Sequence, residues 1–157
     1  MLTAAEEREL ATRFRETGDR RDANRLAQAN LRFVLKIAGE YQNYGFPILD
    51  LIQEGNLGLL QAVDHFDPDR GFRLISYGVW WIRAAIQEYI LRNWSLVRLG
   101  TTQLQRRLFS ALQSSRKRLR RLLEADTEEE RTQLLAEEVR GTVRDVEDMR
   151  RRIAGRD

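Results

Sequence analysis

The scarcity of helix-breaking residues is the strongest constraint on how this chain can fold. Its 157 residues include only two prolines, Pro47 and Pro68, and ten glycines. Long stretches can therefore stay helical without the lost hydrogen bond and steric clash that proline imposes. Apolar and polar residues nowhere alternate over a length that would predict a β-strand. With 42% hydrophobic and 32% charged residues to build a core and its surface, the sequence predicts an all-α protein of six or seven helices.

Capping signals predict where these helices begin. Three segments have the capping-box pattern, in which a threonine and the acid or amide three positions later satisfy each other's backbone amides. They are Thr3 to Glu6, Thr102 to Gln105 and Thr127 to Glu130. Asp19 is predicted to cap a long helix that runs to about Tyr44, where Gly45 and Pro47 end it.

Two further helices are predicted in the middle of the chain. The first begins at Asp50 and ends near Phe66, because residues 67–71 (DPDRG) favour a turn. The second begins after Ser76, a good capping residue, and runs to about Leu91. A joint is expected over residues 93–101.

Cysteine and histidine usage argues against an enzyme. The chain has no cysteine and a single histidine, His65, which excludes disulfides, thiolate metal sites and zinc motifs with two histidines. No metal or cofactor is expected. No apolar run approaches the roughly 20 residues that span a bilayer, and an acidic N-terminus with Glu6, Glu7 and Glu9 is not a signal peptide. The protein is expected to be cytoplasmic, without a membrane partner.

The net charge of +3 is unevenly distributed. Residues 89–123 contain nine basic and no acidic side chains, whereas residues 124–157 have a net charge of −4. The carboxylate-free stretch is a candidate phosphate-binding segment. The alternative is a solvated helix face whose arginines pair with the acids that follow, and charge alone does not decide between the two.

The helix predicted from Ser76 to Leu91 is apolar on two sides. One side carries an aliphatic stripe of Val79, Ile82, Ile86 and Ile90, as a core-facing helix requires. The opposite side carries Tyr77, Trp80 and Trp81. Either a second helix covers these aromatic residues, or they form a stacking platform for unpaired bases, with Arg73 and Arg83 available for phosphates.

The helix predicted from Asp50 to Phe66 also has two different sides. Its inward stripe is Ile52, Leu59, Leu60 and Val63. Its other side carries Asp50, Gln53, Glu54, Leu57, Gln61 and Asp64. Gly55 and Gly58 lower helix propensity, so they are expected to allow close approach of another backbone or a ligand. The acidic side with its leucine suggests a protein partner, although a solvated surface would have the same composition.

Four motifs in this order resemble region 2 of bacterial sigma factors of the sigma-70 family. They are NLRFV at residues 30–34, DLIQEGNLGL at 50–59, FDPDRGF at 66–72 and SYGVWWIR at 76–83. The continuations IQEYILRNW at 86–94 and TTQLQRRLF at 101–109 are most similar to the heat-shock-type branch, which serves stress responses. The resemblance implies a compact region 2 bundle, with the end of region 1.2, over residues 1–95. It implies a small three-helix region 3 domain over residues 96–157, whose closing helices are expected at 127–139 and 142–153.

The resemblance also implies a function, which is to bind core RNA polymerase and to recognise and melt the minus-ten promoter element. The polymerase contact would be the clamp-helix coiled coil of the largest subunit, and its matching residues here are Asp50, Gln53, Glu54, Asn56 and Leu57. On the non-template strand, Tyr77, Trp80 and Trp81 would capture a flipped adenine and wedge the duplex edge. A pocket for a flipped thymine falls on Asn30, Phe33 and Gly55. Completing the predicted DNA-binding set are Arg73, Ser76, Arg83, Gln87, Arg98, Thr102, Gln105 and Arg106.

Alternative functions remain open at this point. The matched regions would begin late in region 1.2 and stop within region 3, without the region 4 that reads the minus-thirty-five element. The chain is therefore expected to be either a fragment of a longer factor or a minimal protein, and a truncated sigma-like decoy that occupies polymerase is one alternative. A duplex-binding regulator that uses the terminal helices is another, although the negative charge of residues 124–157 disfavours it. An anti-sigma factor is a further possible partner.

Overall fold

The computed structural model describes residues 1–97 continuously and, beyond them, residues 110, 113–114, 117–118, 121, 143–144 and 146–153. Five α-helices make up the continuous part: α1 (Ala4–Thr17), α2 (Arg20–Ala29), α3 (Leu31–Glu40), α4 (Ile48–His65) and α5 (Leu74–Val97). Short 3-10 turns lie at Gln42–Tyr44 and Pro68–Arg70. The described residues contain no strand, so the all-α prediction is confirmed.

Two of the predicted helix starts are observed. The backbone N–H of Glu6 donates to Thr3 Oγ1 at 3.2 Å, and the Thr3 hydroxyl donates to the Glu6 carboxylate at 2.9 Å. Asp19 accepts from the N–H of Arg21 at 3.0 Å, so it caps α2 as expected. The capping boxes at Thr102 and Thr127 lie outside the described residues.

The long helix predicted from Asp19 to Tyr44 is wrong, because the chain breaks at Asn30 and again at Tyr41. The Asn30 carboxamide donates to the carbonyl of Leu26 at 2.8 Å. Such local bonds from asparagine compete with the helical backbone pattern and favour its interruption. The break turns α2 and α3 into separate helices: both contact α4, but α2 also packs with α1 and α3 with α5.

Other boundaries also differ from expectation. Helix α4 begins at Ile48, directly after Pro47 and two positions before Asp50. Helix α5 begins at Leu74, so Ser76 lies inside its first turn and is not its cap. It continues to Val97, into the segment expected to form a joint, and residues 98–101 lie outside the described part. Residues 143–144 and 146–153 are helical, as predicted for 142–153.

Helix α5 lies between two clusters of buried side chains. The first cluster joins α3, α4 and α5, and it contains the predicted aliphatic stripe of Val79, Ile82, Ile86 and Ile90. The second joins α1, α2, α4 and α5. The two apolar sides of α5 each pack against one of these clusters. A helix that is apolar around its circumference is stable only when neighbours cover most of it. On α4, Leu59 and Val63 are buried as expected, but Ile52 and Leu60 are only half-buried.

Two glycines of α4 pack closely against neighbouring helices. A Cβ atom on Gly58 would lie 2.6 Å from the carbonyl oxygen of Trp81, and one on Gly55 would lie 2.9 Å from Cγ1 of Val34. Both glycines therefore permit close approach of a neighbouring helix. The sequence predicted close approach of either another backbone or a ligand at these positions.

Gly58→Ala is expected to lower the free energy of unfolding by about 1–3 kcal/mol, because the new methyl group overpacks against the α5 backbone. Gly39→Ala is the matched control, since Gly39 is also helical and a Cβ there would meet nothing within 4 Å. The control is expected to be neutral or stabilising by up to about 1 kcal/mol. Urea unfolding followed by circular dichroism measures both, and equal stability of the two variants would contradict this packing.

Candidate nucleic-acid and polymerase interface

The three aromatic residues predicted on α5 are not equally accessible. Tyr77 and Trp81 are buried, with 5% and 4% of their surfaces exposed, whereas Trp80 is half-buried. Tyr77 and Trp81 pack in the cluster that α1 and α2 help to form. Of the two explanations left open by the sequence, a covering helix is therefore correct for these two residues. The expectation of one open platform built from all three is wrong, and only Trp80 keeps an accessible side.

Trp81, with Tyr77 and His65 packed around it, forms an aromatic base beside Trp80. The rings of Trp80 and Trp81 meet edge to face, with centroids 5.6 Å apart and an interplanar angle of 86°. The imidazole of His65 stacks on the Trp81 ring, with centroids 4.8 Å apart and an interplanar angle of 19°. The Tyr77 ring packs edge to face with Trp81, with centroids 6.0 Å apart. Aromatic pairs in these geometries stabilise each other beyond their buried area, so the contact with Trp81 favours the observed orientation of the Trp80 ring.

Trp80, Arg83 and Gln87 form a half-buried line along α5, which is called here the α5 stripe. Their spacing of three and four residues puts them one above another on a single face. Arg83 lies 3.5 Å from the Glu40 carboxylate. Gln87 donates to the Tyr41 hydroxyl at 2.8 Å, and burial raises the pKa of that phenol. The stripe thus presents an aromatic ring, a guanidinium and an amide in a row, anchored to the end of α3.

The start of α5 is held by a residue that sequence reasoning missed. Glu7 of α1 is 3% exposed, and it accepts from the backbone N–H of Leu74 and, at 2.8 Å, from Nε of Arg73. Arg73 also donates to the carbonyl of Leu2 at 2.9 Å. Its position in the sequence could have indicated that it is buried. Glu7 precedes Leu10 and Ala11 by three and four residues, so all three lie on the inward face of α1. Ser76, a predicted DNA-binding residue, is buried in the first turn.

The turn between α4 and α5 is also attached to α1. Arg15 reaches Asp67 and Asp69, each at 3.0 Å, and Arg8 reaches Asp69 at 3.3 Å. Hydrogen bonding from Arg15 lowers the pKa of the Asp69 carboxyl. These side chains are exposed, so each ion pair contributes little to stability. Together with Glu7, they nonetheless connect the turn that precedes α5 to α1.

The residues predicted to form a thymine pocket lie in the core. Asn30 and Phe33 are 7% and 1% exposed, and Gly55 is buried against Val34. The guanidinium carbon of Arg150 lies 5.9 Å from the centre of the Phe33 ring. Val146 and Met149, from the same C-terminal segment, are buried in the cluster that contains Phe33. Helix packing alone accounts for Gly55, and the base-binding role of the three residues stays a prediction.

The outer side of α4 is open to solvent. Gln53 and Leu57 are exposed, Leu57 to 56%, while Asp50, Glu54 and Asn56 are half-buried. The Tyr89 hydroxyl donates to Asp50 at 3.0 Å. Leu49, at the beginning of the helix, is 70% exposed. An accessible mixture of leucine, amide and carboxylate is suited to contact another protein.

Four of the predicted DNA-binding residues lie outside the described residues. Arg98, Thr102, Gln105 and Arg106 are not described, so the phosphate-binding role of residues 89–123 stays a prediction. Across the described positions there is no group of three or more side chains that could hold a metal ion. Among the same positions, no helix combines the length and the apolar character needed to cross a membrane.

The fold and these surfaces define a class of protein, namely an all-helical bundle with an aromatic and cationic line on one helix and an acidic, leucine-bearing side on another. A family model described as Sigma-70 region 2 matches residues 26–96, which include α3, α4 and most of α5. The chain therefore contains a region 2 domain of the sigma-70 family. The resemblance stated from the motifs is confirmed.

Several sigma factors are similar to this chain over nearly all of its length. The RNA polymerase sigma-C factor of Myxococcus xanthus is 50% identical over 157 residues, which are 100% of this chain and 53% of that protein. The RNA polymerase sigma factor RpoH of Rhizobium radiobacter is 46% identical over 155 residues, 99% of this chain and 52% of that protein. RpoH of Caulobacter vibrioides is 44% identical over 157 residues, with 100% and 53% covered. The chain thus spans about half the length of the curated relatives it matches.

Proposed function

We propose that this chain acts as a bacterial sigma factor, or a fragment of one, that binds core RNA polymerase and recognises and melts the minus-ten element during transcription initiation. The observation that carries the proposal is the α5 stripe, an oriented tryptophan followed by an arginine and an amide, inside the matched region 2 domain. Aromatic rings that offer a face or edge to solvent beside cations are typical of single-strand binding. The names of the relatives support the same role.

Promoter melting requires the protein to stabilise unstacked bases, since base edges used in Watson–Crick pairing are inaccessible in a duplex. Unstacking costs a few kcal/mol, and stacking on aromatic side chains offsets about 1–3 kcal/mol per base. In this proposal Trp80 stacks against the strand at the edge of the melted region. Trp81 and Tyr77 act from below by fixing the Trp80 ring, and Arg83 and Gln87 continue the contact along α5. The reaction is a binding equilibrium and needs no nucleophile.

The thymine pocket needs one further step in this proposal. Phe33 lies beneath Arg150 and packs in one cluster with Val146 and Met149, so a base can reach the Phe33 ring on this side only if residues 146–153 move away. Polymerase or DNA binding would have to supply the free energy for that displacement. A contact of Thr102, Gln105 and the basic residues after α5 with upstream duplex is proposed on the resemblance alone.

The outer side of α4 is proposed to contact the clamp-helix coiled coil of the largest polymerase subunit. Replacing Gln53 and Glu54 together with alanine is expected to weaken capture of core polymerase about tenfold, because one exposed amide and one carboxylate are lost from the centre of this side. A pull-down with purified core enzyme at several chain concentrations measures the effect.

The matched control for that variant is Glu9→Ala with Gln28→Ala. It removes the same two residue types from exposed positions on α1 and α2, so its net charge changes equally. Undiminished capture by the α4 variant, or equal loss in the control, would remove the polymerase contact from this side of α4. Inhibition of transcription with no initiation in a run-off assay would instead favour the decoy function.

A further inference from the structure

The connection between Glu7 and the start of α5 joins two segments that are far apart in sequence. One oxygen of the Glu7 carboxylate accepts from the N–H of Leu74, the first residue of α5, and the other accepts from Arg73. The Glu7 side chain is almost fully buried, with a relative exposure of 4%. A buried carboxylate is costly unless its partners compensate its charge, and here a cation and a helix N-terminus both do so.

Local sequence provides no substitute for this contact. The residue before α5 is Arg73, whose guanidinium carries only donors and cannot accept from the free amides of a helix start. Ser76, the nearest residue with a capping side chain, lies inside the first turn. Glu7 therefore caps α5 from another helix.

The same contact fixes the direction of Arg73. Its guanidinium is bound at Nε by Glu7 and at Nη2 by the carbonyl of Leu2, which holds the plane of the group from two sides. A third of the side chain nevertheless remains exposed, at 33%. A planar guanidinium that is oriented and partly accessible is suited to bind a phosphate. Trp80 lies seven residues further along the chain, which is about two turns of helix, within α5.

We propose that Glu7 is a positioning residue for DNA binding. By binding Arg73 and the first residue of α5, it fixes the Arg73 guanidinium relative to the α5 stripe. A phosphate contact at Arg73 and base stacking at Trp80 then occur at a set spacing along the non-template strand. The inference rests on the proposed function. It assigns to α1, which lies before the matched domain, a direct influence on how strongly that domain binds the strand.

The test uses the chain in complex with core polymerase and a fluorescein-labelled minus-ten non-template single strand, with binding followed by anisotropy at several salt concentrations. Glu7→Gln keeps an acceptor for Leu74 but removes the charge that holds Arg73. Its affinity is expected to fall roughly three- to tenfold. The negative slope of log affinity against log salt is expected to become shallower by about 0.7, the value for one lost phosphate contact on a single strand. Arg73→Ala is expected to show the same change in slope.

Three comparisons separate positioning from a purely structural role. Adding Glu7→Gln to Arg73→Ala is expected to cause no further loss, because Glu7 acts through Arg73. Arg73→Lys keeps the charge but loses the planar fork, so weaker binding is expected even though Glu7 is intact. Glu9→Gln, at an exposed position on the same helix, is expected to bind as the wild type does.

The outcomes are distinguishable. A wild-type complex that does not bind the strand overturns the proposed function, and the present inference falls with it. If the wild type binds, then an unchanged affinity and salt slope in Glu7→Gln, or wild-type binding by Arg73→Lys, overturns the positioning role alone. Stronger binding by Glu7→Gln would mean that Glu7 repels the strand, which also contradicts the proposal.

Discussion

Trp80→Ala is expected to weaken binding of the minus-ten non-template strand by roughly one to two orders of magnitude, because about 1–3 kcal/mol of stacking per base is lost. The fold should be retained, since Trp80 is only half-buried and lies at the margin of its cluster. Anisotropy of a labelled strand with the chain and core polymerase measures the affinity, and thermal unfolding of the chain measures its stability.

Leu35→Ala provides a control for the loss of a large apolar side chain. Leu35 lies on α3 and is 47% exposed, and it has no place in the predicted DNA-binding set. Its strand affinity is expected to equal that of the wild type. If Trp80→Ala also binds normally, then Trp80 is not a stacking residue and the α5 stripe loses its assigned role.

Trp81→Ala is expected to act on stability first. Its indole is 4% exposed and contacts His65, Tyr77 and Trp80. Removing a buried indole leaves a cavity and typically costs about 3–5 kcal/mol. This is a large part of the stability of a small domain, so partial unfolding at 37 °C is expected.

Trp81→Phe distinguishes this packing role from direct base contact. Phenylalanine retains much of the apolar volume and the stacking with His65, while it removes an indole N–H that has no hydrogen-bond partner among the described residues. This variant is expected to recover most of the lost stability and to bind the strand nearly as well as the wild type. Full stability of Trp81→Ala in urea unfolding would show that the aromatic base beneath Trp80 does not support the fold.

Local signals in the sequence predicted the helical class and those boundaries that depend on neighbouring residues. Thr3 and Asp19 cap their helices because each acceptor lies within three positions of the amide it binds. The start of α5 was misplaced for the opposite reason. Its cap is Glu7, 67 positions away from Leu74, and no local pattern carries that information.

The break at Asn30 has a different cause. Asparagine is tolerated in helices and also favours their ends, so the continuous pattern from Asp19 to Tyr44 was compatible with either outcome. The interruption is apparent only when the side chain binds the Leu26 carbonyl. It permits α2 to pack with α1, through the paired contact of Arg13 with Asp22 at 2.9 and 3.0 Å, while α3 packs with α4 and α5.

The candidate site was predicted in part. A helical wheel separates the aromatic side of α5 from its aliphatic side, but it cannot show that α1 and α2 cover Tyr77 and Trp81 and leave Trp80 accessible. On α4 the prediction was closer, because the outer side of an amphipathic helix stays exposed when the buried clusters pack only against its inner side. The resemblance supplied roles for both helices, and tertiary packing decides which side chains are available for them.

The most direct measurement is the affinity of the minus-ten non-template strand for core polymerase with and without this chain. We expect the chain to make polymerase bind the strand at least about tenfold more tightly than it binds the same strand with a scrambled hexamer, and Trp80→Ala to remove that preference. Equal binding of the two strands by the wild-type complex, or no gain over polymerase alone, would contradict the account.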